Sequence, residues 1–356
     1  MEQDVDSYAL LERLCNIAGI SGFEDDVRAS IETLVKSRVD TLRTDTLGNL
    51  IATRRGRTDF KLMLDAHMDE IGFMVQFVDE QGFVRFTNIG GWDPRLLPSH
   101  LLTIVTHQGR HVEGVIGTQP PHILKPADRE KVIQIEDMFL DVGATSADEV
   151  YALGVRIGDP VVMHYPFRRL GADSVAGKAL DDRAGCAAII QTLDALQGVD
   201  VDATIVAAFV VSEERGLIGA RTAAFQIEPN MAIALEGTVA ADMPGVSRLR
   251  QPSGLGNGPA ITVADGGFIP KRKMVRAFEQ VAEREGIPYQ IKIPPYGGTD
   301  AGAIHQSRAG VLSGVLSVPC RYIHSPFSVC RLSDFDNTWR LLTAFCKDAV
   351  RVAGEP

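Results

Sequence analysis

Two histidines and a run of carboxylates stand beside short apolar stretches of this sequence, and their spacing suits metal chemistry. The first group is Leu64-Asp65-Ala66-His67-Met68-Asp69-Glu70. Side chains two apart on an extended segment share a face, so His67 and Asp69 project together. An imidazole so placed can hold a metal through one nitrogen while the carboxylate orients the ring through the other. A surface His among solvated acids is the bland alternative. The second group is Gly177-Lys178-Ala179-Leu180-Asp181-Asp182-Arg183-Ala184-Gly185. Capping at the positive end of a helix dipole accounts for its two adjacent acids as readily as a ligand role does. The third, Val210-Val211-Ser212-Glu213-Glu214-Arg215-Gly216, follows the most apolar strand-length run in the chain. Two consecutive Glu at the carboxyl end of a buried strand suit a ligand site better than a solvated surface. Glu236 in Leu235-Glu236-Gly237-Thr238 and His324 in Arg321-Tyr322-Ile323-His324-Ser325-Pro326 complete the set.

Imidazole and oxygen donors without thiolate suit Zn²⁺, Co²⁺ or Mn²⁺. Carboxylates gathered in one cleft repel each other unless cations neutralise them. Two ions ~3.5–4 Å apart sharing one bridging carboxylate, with a further Glu free as general base, are the inventory of a two-metal hydrolase. Paired carboxylates also serve glycoside hydrolysis, in which neither histidine nor metal has a part. A scaffold that keeps the fold with a degraded site is the non-enzymatic alternative.

The elements that must position these residues follow from apolar periodicity. Helices are expected near Asp6–Ile17 and Glu24–Ser37, then a hairpin of Val39–Thr44 and Leu50–Arg54 turning at Thr46–Asn49. Phe60–Asp65 reads as a buried strand. From about Glu70 to Phe167 short alternating runs such as Phe83–Phe86, Leu101–Thr106 and His111–Ile116 are separated by Gly and Pro, with a hairpin turn at Gln108-Gly109. That is β patterning with almost no helical period. After Gly177 helices return: Asp182–Leu196, Pro270–Glu285 with Pro at its first turn, and Ser333–Val352 with Ser333 as candidate cap. Between them lie strands at Ala203–Val211, Met231–Leu235, Tyr289–Ile293 and Val311–Val318. Such alternation implies an α/β fold with a mixed, mostly parallel sheet flanked by helices. Residues 1–69 and 168–356 form the α/β domain, and 70–167 an inserted all-β domain.

The composition narrows the function classes. Lys and Arg total 36 against 46 Asp and Glu, a net charge of −10, which disfavours nucleic acid or an anionic membrane as partner. No apolar run approaches the ~18 residues of a spanning helix, and the opening MEQDVDSYAL lacks a basic stretch followed by an apolar one, so no leader is expected. The 5 Cys are odd in number without close pairing, as free thiols of a reducing, cytoplasmic protein would be. His100, His107, His111 and His164 of the insert read as structural or exposed, His305 as packing, and Gln119-Pro120-Pro121-His122 as a stiff turn. Gly254–Gly258 lacks the Lys and helix of a phosphate loop and, with Pro294–Thr299, is a candidate pocket wall.

Taken in order, His-x-Asp (His67, Asp69), Lys-Ala-x-Asp-Asp-Arg (178–183), Ser-Glu-Glu-x-Gly (212–216), Gly-Gly-Thr-Asp-Ala-Gly (297–302) and Arg-Tyr-Ile-His-Ser-Pro (321–326) resemble the tetrahedral aminopeptidases. That metallopeptidase family includes glutamyl aminopeptidase and the proteins called cellulase M and FrvX, and the resemblance spans nearly the whole chain. It implies an aminopeptidase acting on short peptides with two divalent ions and a metal-bound hydroxide as nucleophile. A related carboxypeptidase or deacylase uses the same metal pair. The resemblance gives His67 one metal, with Asp69 orienting it and Glu236 completing its shell, and makes Asp181 the bridge with a cis peptide to Asp182. Glu214 and His324 hold the second ion, and Glu213 is the general base. It further implies that the β insert serves dimerisation, the dimers assembling into a hollow homo-oligomeric dodecamer. Two departures stand out: the family has Asp where this chain has Glu236, and Phe327-Ser328-Val329 holds no acid where one is expected after Pro326.

Overall fold

A computed structural model describes residues 6–120 and 122–354. The first five residues, part of the stretch from which no leader was expected, and Pro121 of the stiff turn lie outside the described residues. Eight strands form one mixed sheet in the order Thr41–Thr44, Leu50–Arg54, Thr204–Val210, Lys61–His67, Met231–Val239, Leu312–Cys320, Ala260–Thr262 and Gln290–Lys292. The middle four, from Thr204–Val210 to Leu312–Cys320, run parallel. At one edge Leu50–Arg54 runs antiparallel to Thr204–Val210, and Thr41–Thr44 antiparallel to Leu50–Arg54. At the other edge Ala260–Thr262 runs against Leu312–Cys320 and alongside Gln290–Lys292.

Strand alternation sorts side chains between two layers. Leu62, Leu64 and Ala66 join Ile205, Ala207, Phe209, Ile233 and Leu235 in one core, under the helices Ser7–Cys15, Asp25–Val35, Leu180–Ala195, Arg272–Glu285 and Leu332–Gly354. Met63, Val206, Ala208 and Val210 pack on the opposite face against Ala220, Ala223 and Ala224 of Ile218–Ile227. Fully buried side chains such as Phe209, Phe278 and Phe345 each contribute roughly 1.5–3 kcal/mol on leaving water. The middle strands, apolar throughout, are covered on both faces, as parallel strands must be.

Between Gly72 and Met163 the chain forms a closed antiparallel barrel ordered Gly72–Val78, Phe83–Ile89, Phe139–Asp141, His111–Gly117, Leu101–Val105 and Pro160–Met163. Its own core holds Phe73, Phe86, Leu102, Ile104, Ile116, Leu140 and Val161. Trp92 stacks on Phe73 at 4.8 Å, joining the segment after Ile89 to that core. The segment is not wholly β: Ala147–Ala152 is a short helix capped by Ser146. Arg168–Leu170, Ser174–Gly177 and Ser328–Arg331 form a smaller, separate sheet. No helix of the described residues is long and apolar enough to cross a membrane.

Several element ends differ from expectation. The Met231 strand runs on to Val239, so Glu236 lies inside it rather than closing it; pairing with Leu312–Cys320 continues as far as Val239↔Cys320 and overrides the local signal of an acid followed by Gly. Helix 272–285 begins two residues after Pro270. Ser333 does not cap the last helix, which starts at Leu332; its hydroxyl donates to Asp173 at 2.6 Å. Gly254–Gly258 walls no pocket at the site, because the Gly256 and Gly258 amides donate to Asp334 at 2.7 and 2.8 Å.

Candidate metal centre

The predicted ligands arrive from five places, four of them on or after the parallel strands toward their carboxyl ends, where open α/β sheets gather their ligands. His67 ends Lys61–His67. Glu213 and Glu214 follow Thr204–Val210 after Ser212, whose φ of 55° turns the chain sharply. Glu236 rises from Met231–Val239, and His324 follows Leu312–Cys320 at φ 57°. Asp181 and Asp182 stand where Ser174–Gly177 passes into the long helix. Their φ/ψ are non-helical and the bond between them is cis, the isomer implied by the resemblance. Left-handed backbone at Ala179, Ser212 and His324 costs energy that the surrounding contacts must offset, as happens where function fixes geometry.

Asp181 lies between the two imidazoles. Its Oδ1 is 3.4 Å from His67 Nε2, and its Oδ2 is 3.8 Å from His324 Nε2. His67 Nε2 is also 3.8 Å from Glu236 Oε2, and His324 Nε2 is 3.4 Å from Glu214 Oε1. Two groups of ligand atoms each gather within 4.8 Å: His67, Asp182 and Glu236, then Asp181, Glu214 and His324. Asp182 is the acid that sequence reasoning did not assign to the metal. Its carboxylate already accepts the His67 and Gly185 amides at 3.3 and 2.9 Å. Asp181 Oδ1, buried without a hydrogen-bond partner, is the freer donor, and an orphaned oxygen facing an imidazole fits a shared cation.

The imidazoles are held from behind. His67 Nδ1 lies 3.0 Å from the main-chain oxygen of Asp69 and 3.4 Å from its carboxylate. The role expected of the Asp69 side chain is therefore shared with its own backbone, because the strand stops at His67 and the chain turns. The Asp69 carboxylate takes instead the Ser21 hydroxyl at 2.6 Å and the amides of Glu213 and Glu214 at 3.0 and 3.2 Å. His324 Nδ1 lies 3.0 Å from the carbonyl of Gly91, in the segment between barrel strands. Arg183, fully buried, braces the same region by donating to the main-chain oxygens of Met68, Leu14 and Gly19 at 2.7, 2.7 and 3.2 Å. Lys178 pairs with Glu70 at 2.6 Å.

Burial pushes Glu213, Glu236 and Asp182 well above the usual carboxylate range, with repulsion from neighbouring acids adding to it, and raises Glu214 to about 7. Burial opposes charge on His67, but Asp181 and Asp69 outweigh it and hold the imidazolium well above its ordinary range. Behind the site Asp65 is pushed up to about 8 by burial, facing Asp300, which is raised as well. Acids that resist ionisation this strongly want positive charge among them, and divalent cations would supply it. The donor set therefore fits a pair of such ions.

A cavity of about 440 Å³ opens on the centre, lined by His67, Asp181, Glu213, Glu214, Glu236 and His324 together with Lys292 and Tyr296–Thr299. Pro294–Thr299 therefore supplies a wall as expected. His305 packs on Phe268 and bonds Ala301 O at 2.8 Å. Sequence reasoning missed Asp182, Asp65 and Asp300 as members of the buried cluster, and Gly91 and Lys292 altogether. Asp65 had a signal, sitting two residues before His67 on one face of an apolar strand. Gly91 and Lys292 had none, because only long-range contacts bring them here.

The family model for M42 glutamyl aminopeptidase matches residues 48–341. The protein FrvX of Escherichia coli K12, named as an aminopeptidase, is 36% identical over 94% of this chain and 94% of its own. The aminopeptidase APDkam598 from Desulfurococcus kamchatkensis superimposes with a TM-score of 0.94 at 37% identity, covering 98% of this chain and 96% of that one. The TET1 peptidase of Pyrococcus horikoshii, described as assembling into a tetrahedron or a large octahedral shell, aligns with a TM-score of 0.86 at 34% identity over 95% of this chain and 98% of its own.

Proposed function

This chain belongs to the M42 glutamyl aminopeptidase family and is a peptide hydrolase, and on that premise we propose that two divalent cations serve its removal of N-terminal residues from short peptides. His67, Glu236 and Asp181 hold one ion. Asp181, Glu214 and His324 hold the other. The observation that carries this is the Asp181 carboxylate, one oxygen toward each imidazole. When bound, the two cations polarise the scissile carbonyl and acidify the attacking water. Zn²⁺, Co²⁺ and Mn²⁺ all suit the donors.

Glu213 is the pocket-lining acid outside both ligand groups. Its burial strengthens its hold on a proton, as a general base at neutral pH requires. It takes a proton from the attacking water on a carboxylate oxygen and delivers it to the leaving amine nitrogen. Asp69 positions it by accepting its amide. Glu236, one methylene longer than the family's Asp, reaches back to accept the Asp300 amide at 3.2 Å, which supports its keeping the ligand position.

Residues 1–69 and 168–356 carry the catalysis, and 70–167 the association of subunits into dimers and a dodecamer, as the tetrahedral assembly described for the Pyrococcus horikoshii relative supports. The 5 cysteines, all buried and unpaired, suit the reducing cytoplasm. The deciding experiment combines elemental analysis, light scattering and a peptide panel. Two ions per chain, an assembly of many subunits, and release of N-terminal residues that ceases on chelation are the expected results. A metal-free protein that still cleaves would overturn the reading.

A further inference from the structure

Glu213 lines the cavity but lies outside both groups of ligand atoms, and among the described residues no hydrogen bond reaches its carboxylate. Its place therefore depends on the backbone that carries it, the loop between strand Thr204–Val210 and helix Ile218–Ile227. That loop has φ of 55° at Ser212, 113° at Gly216 and 59° at Leu217. Left-handed values at residues other than glycine persist only where surrounding contacts impose them. Four consecutive amides of the loop donate to side chains from elsewhere in the chain. Val211 N donates to Asn49 Oδ1 at 3.0 Å, and Ser212 N to Glu24 Oε1 at 3.0 Å. The Glu213 and Glu214 amides go to the two oxygens of Asp69 at 3.0 and 3.2 Å.

Asn49 also reaches the other end of the loop, because its Nδ2 donates to the Gly219 oxygen at 3.2 Å. An acceptor for one end and a donor for the other are what a carboxamide offers and a carboxylate does not. Asp45 aims the group by accepting Nδ2 at 2.8 Å, and Asn49 is fully buried. A Cβ at Gly219 would collide with Asn49 Oδ1 and with the nitrogen and oxygen of Val211, so a glycine is what lets the two ends and Asn49 meet. The hairpin turn Thr46–Asn49 thus ends in a clasp on segments 162 and 170 residues further along. Building on the reading of Glu213 as general base, we propose that Asn49 is a positioning residue of the reaction, setting where the Glu213 carboxylate stands by holding both ends of the 211–219 loop. Glu214 gains a second hold from the ion that it ligates. Glu213 has none.

The test uses the full-length enzyme saturated with Zn²⁺ and the peptide that it cleaves best. Asn49→Leu keeps the size of the side chain and removes both bonds. Well below its melting temperature and with two ions still bound, this variant should lose about 10²-fold in kcat, the cost of displacing a reacting group by ~1 Å, while KM stays near wild type. Combined with Glu213→Gln, the same change should cost almost nothing more, because no base is left to misplace. Gly219→Ala presses on the clasp from the opposite side without altering Asn49. It should repeat both results, and it decides the matter if Asn49→Leu does not fold. Wild-type kcat in a destabilised Asn49→Leu variant would show that the clasp serves the fold alone and would overturn the proposal. Losses that multiply in the double variant would overturn it too. Wild-type turnover by Glu213→Gln itself would sink the base assignment instead.

Discussion

The main-chain oxygen of Gly91 lies 3.0 Å from Nδ1 of His324, so the barrel segment fixes an imidazole that sits 233 residues further along the chain. With Nδ1 engaged, Nε2 is turned toward Glu214 and Asp181. This carbonyl provides the acceptor that was sought in an acid after Pro326. Phe327, the first residue after Pro326, stacks on Tyr165 at 4.4 Å.

A methyl group at position 91 would stand 3.2 Å from His324 Nδ1, tight enough to move the ring. Gly91→Ala should therefore weaken one of two metal sites by about 10–100-fold, the usual effect of disturbing a ligand's support. Calorimetric titration of the apo protein with Zn²⁺ should show one site weakened and one unchanged. Two unaltered sites would count against the arrangement.

Glu213→Gln keeps size and hydrogen bonding but cannot take the water's proton. Turnover should fall by about 10²–10⁴-fold, with two metal ions still bound by elemental analysis. Wild-type turnover in this variant would remove Glu213 from the chemistry.

Asp69 ties Ser21, Glu213 and Glu214 together through one carboxylate. Asp69→Asn would turn a carboxamide NH2 toward one of these donors, leaving it without an acceptor at a cost of about 1–3 kcal/mol. Both kcat and the urea midpoint should drop. A variant that lost activity at unchanged stability and metal content would place Asp69 in the reaction itself.

Metal removal should matter more as pH rises. Glu214, raised to about 7 by burial, and Glu213 and Glu236, raised further, favour the apo fold while protonated. That contribution is complete below the ordinary carboxylate range and is lost as pH climbs through the folded values. His67, also raised, acts in the same direction. Cations replace those protons, so the Tm gap between metal-loaded and chelated protein should widen from pH 5 to pH 8. A constant gap would show that the acids are not the metal's seat.

The Lys178–Glu70 pair is almost wholly buried, at 6% and 2% exposure. Among the described residues, Lys178→Met leaves Glu70 with the Gly19 amide at 3.1 Å and Arg183 at 3.7 Å. A loss of about 3–5 kcal/mol is expected, as for other broken buried pairs, and denaturant titration would measure it. Removing Glu70 as well should recover part of the loss.

Much of the fold was legible because burial leaves a period. Ala203–Val211 and Met231–Leu235 are apolar on both faces, as strands under two helical layers must be, and the alternating runs after Glu70 announced the β character of the segment that closes into the barrel. Boundaries were less legible where pairing outran local composition, as beyond Leu235, or where a hydroxyl had a better partner than the helix end, as at Ser333. His67, Asp181, Glu213, Glu214, Glu236 and His324 could be singled out because ionisable residues at the ends of apolar strands are costly without a task.

By itself the sequence determined the donor types, their order along the chain and the strands that would carry them, since these depend on residue chemistry and short-range periodicity. Only the tertiary structure decided which oxygen of Asp181 faces which histidine, that Gly91 orients His324, and that Lys292 lines the cavity. Those are contacts between segments tens to hundreds of residues apart. A backbone carbonyl has no residue identity to read, and an isolated lysine carries no period, so their roles arise only when folding brings them to a shared centre.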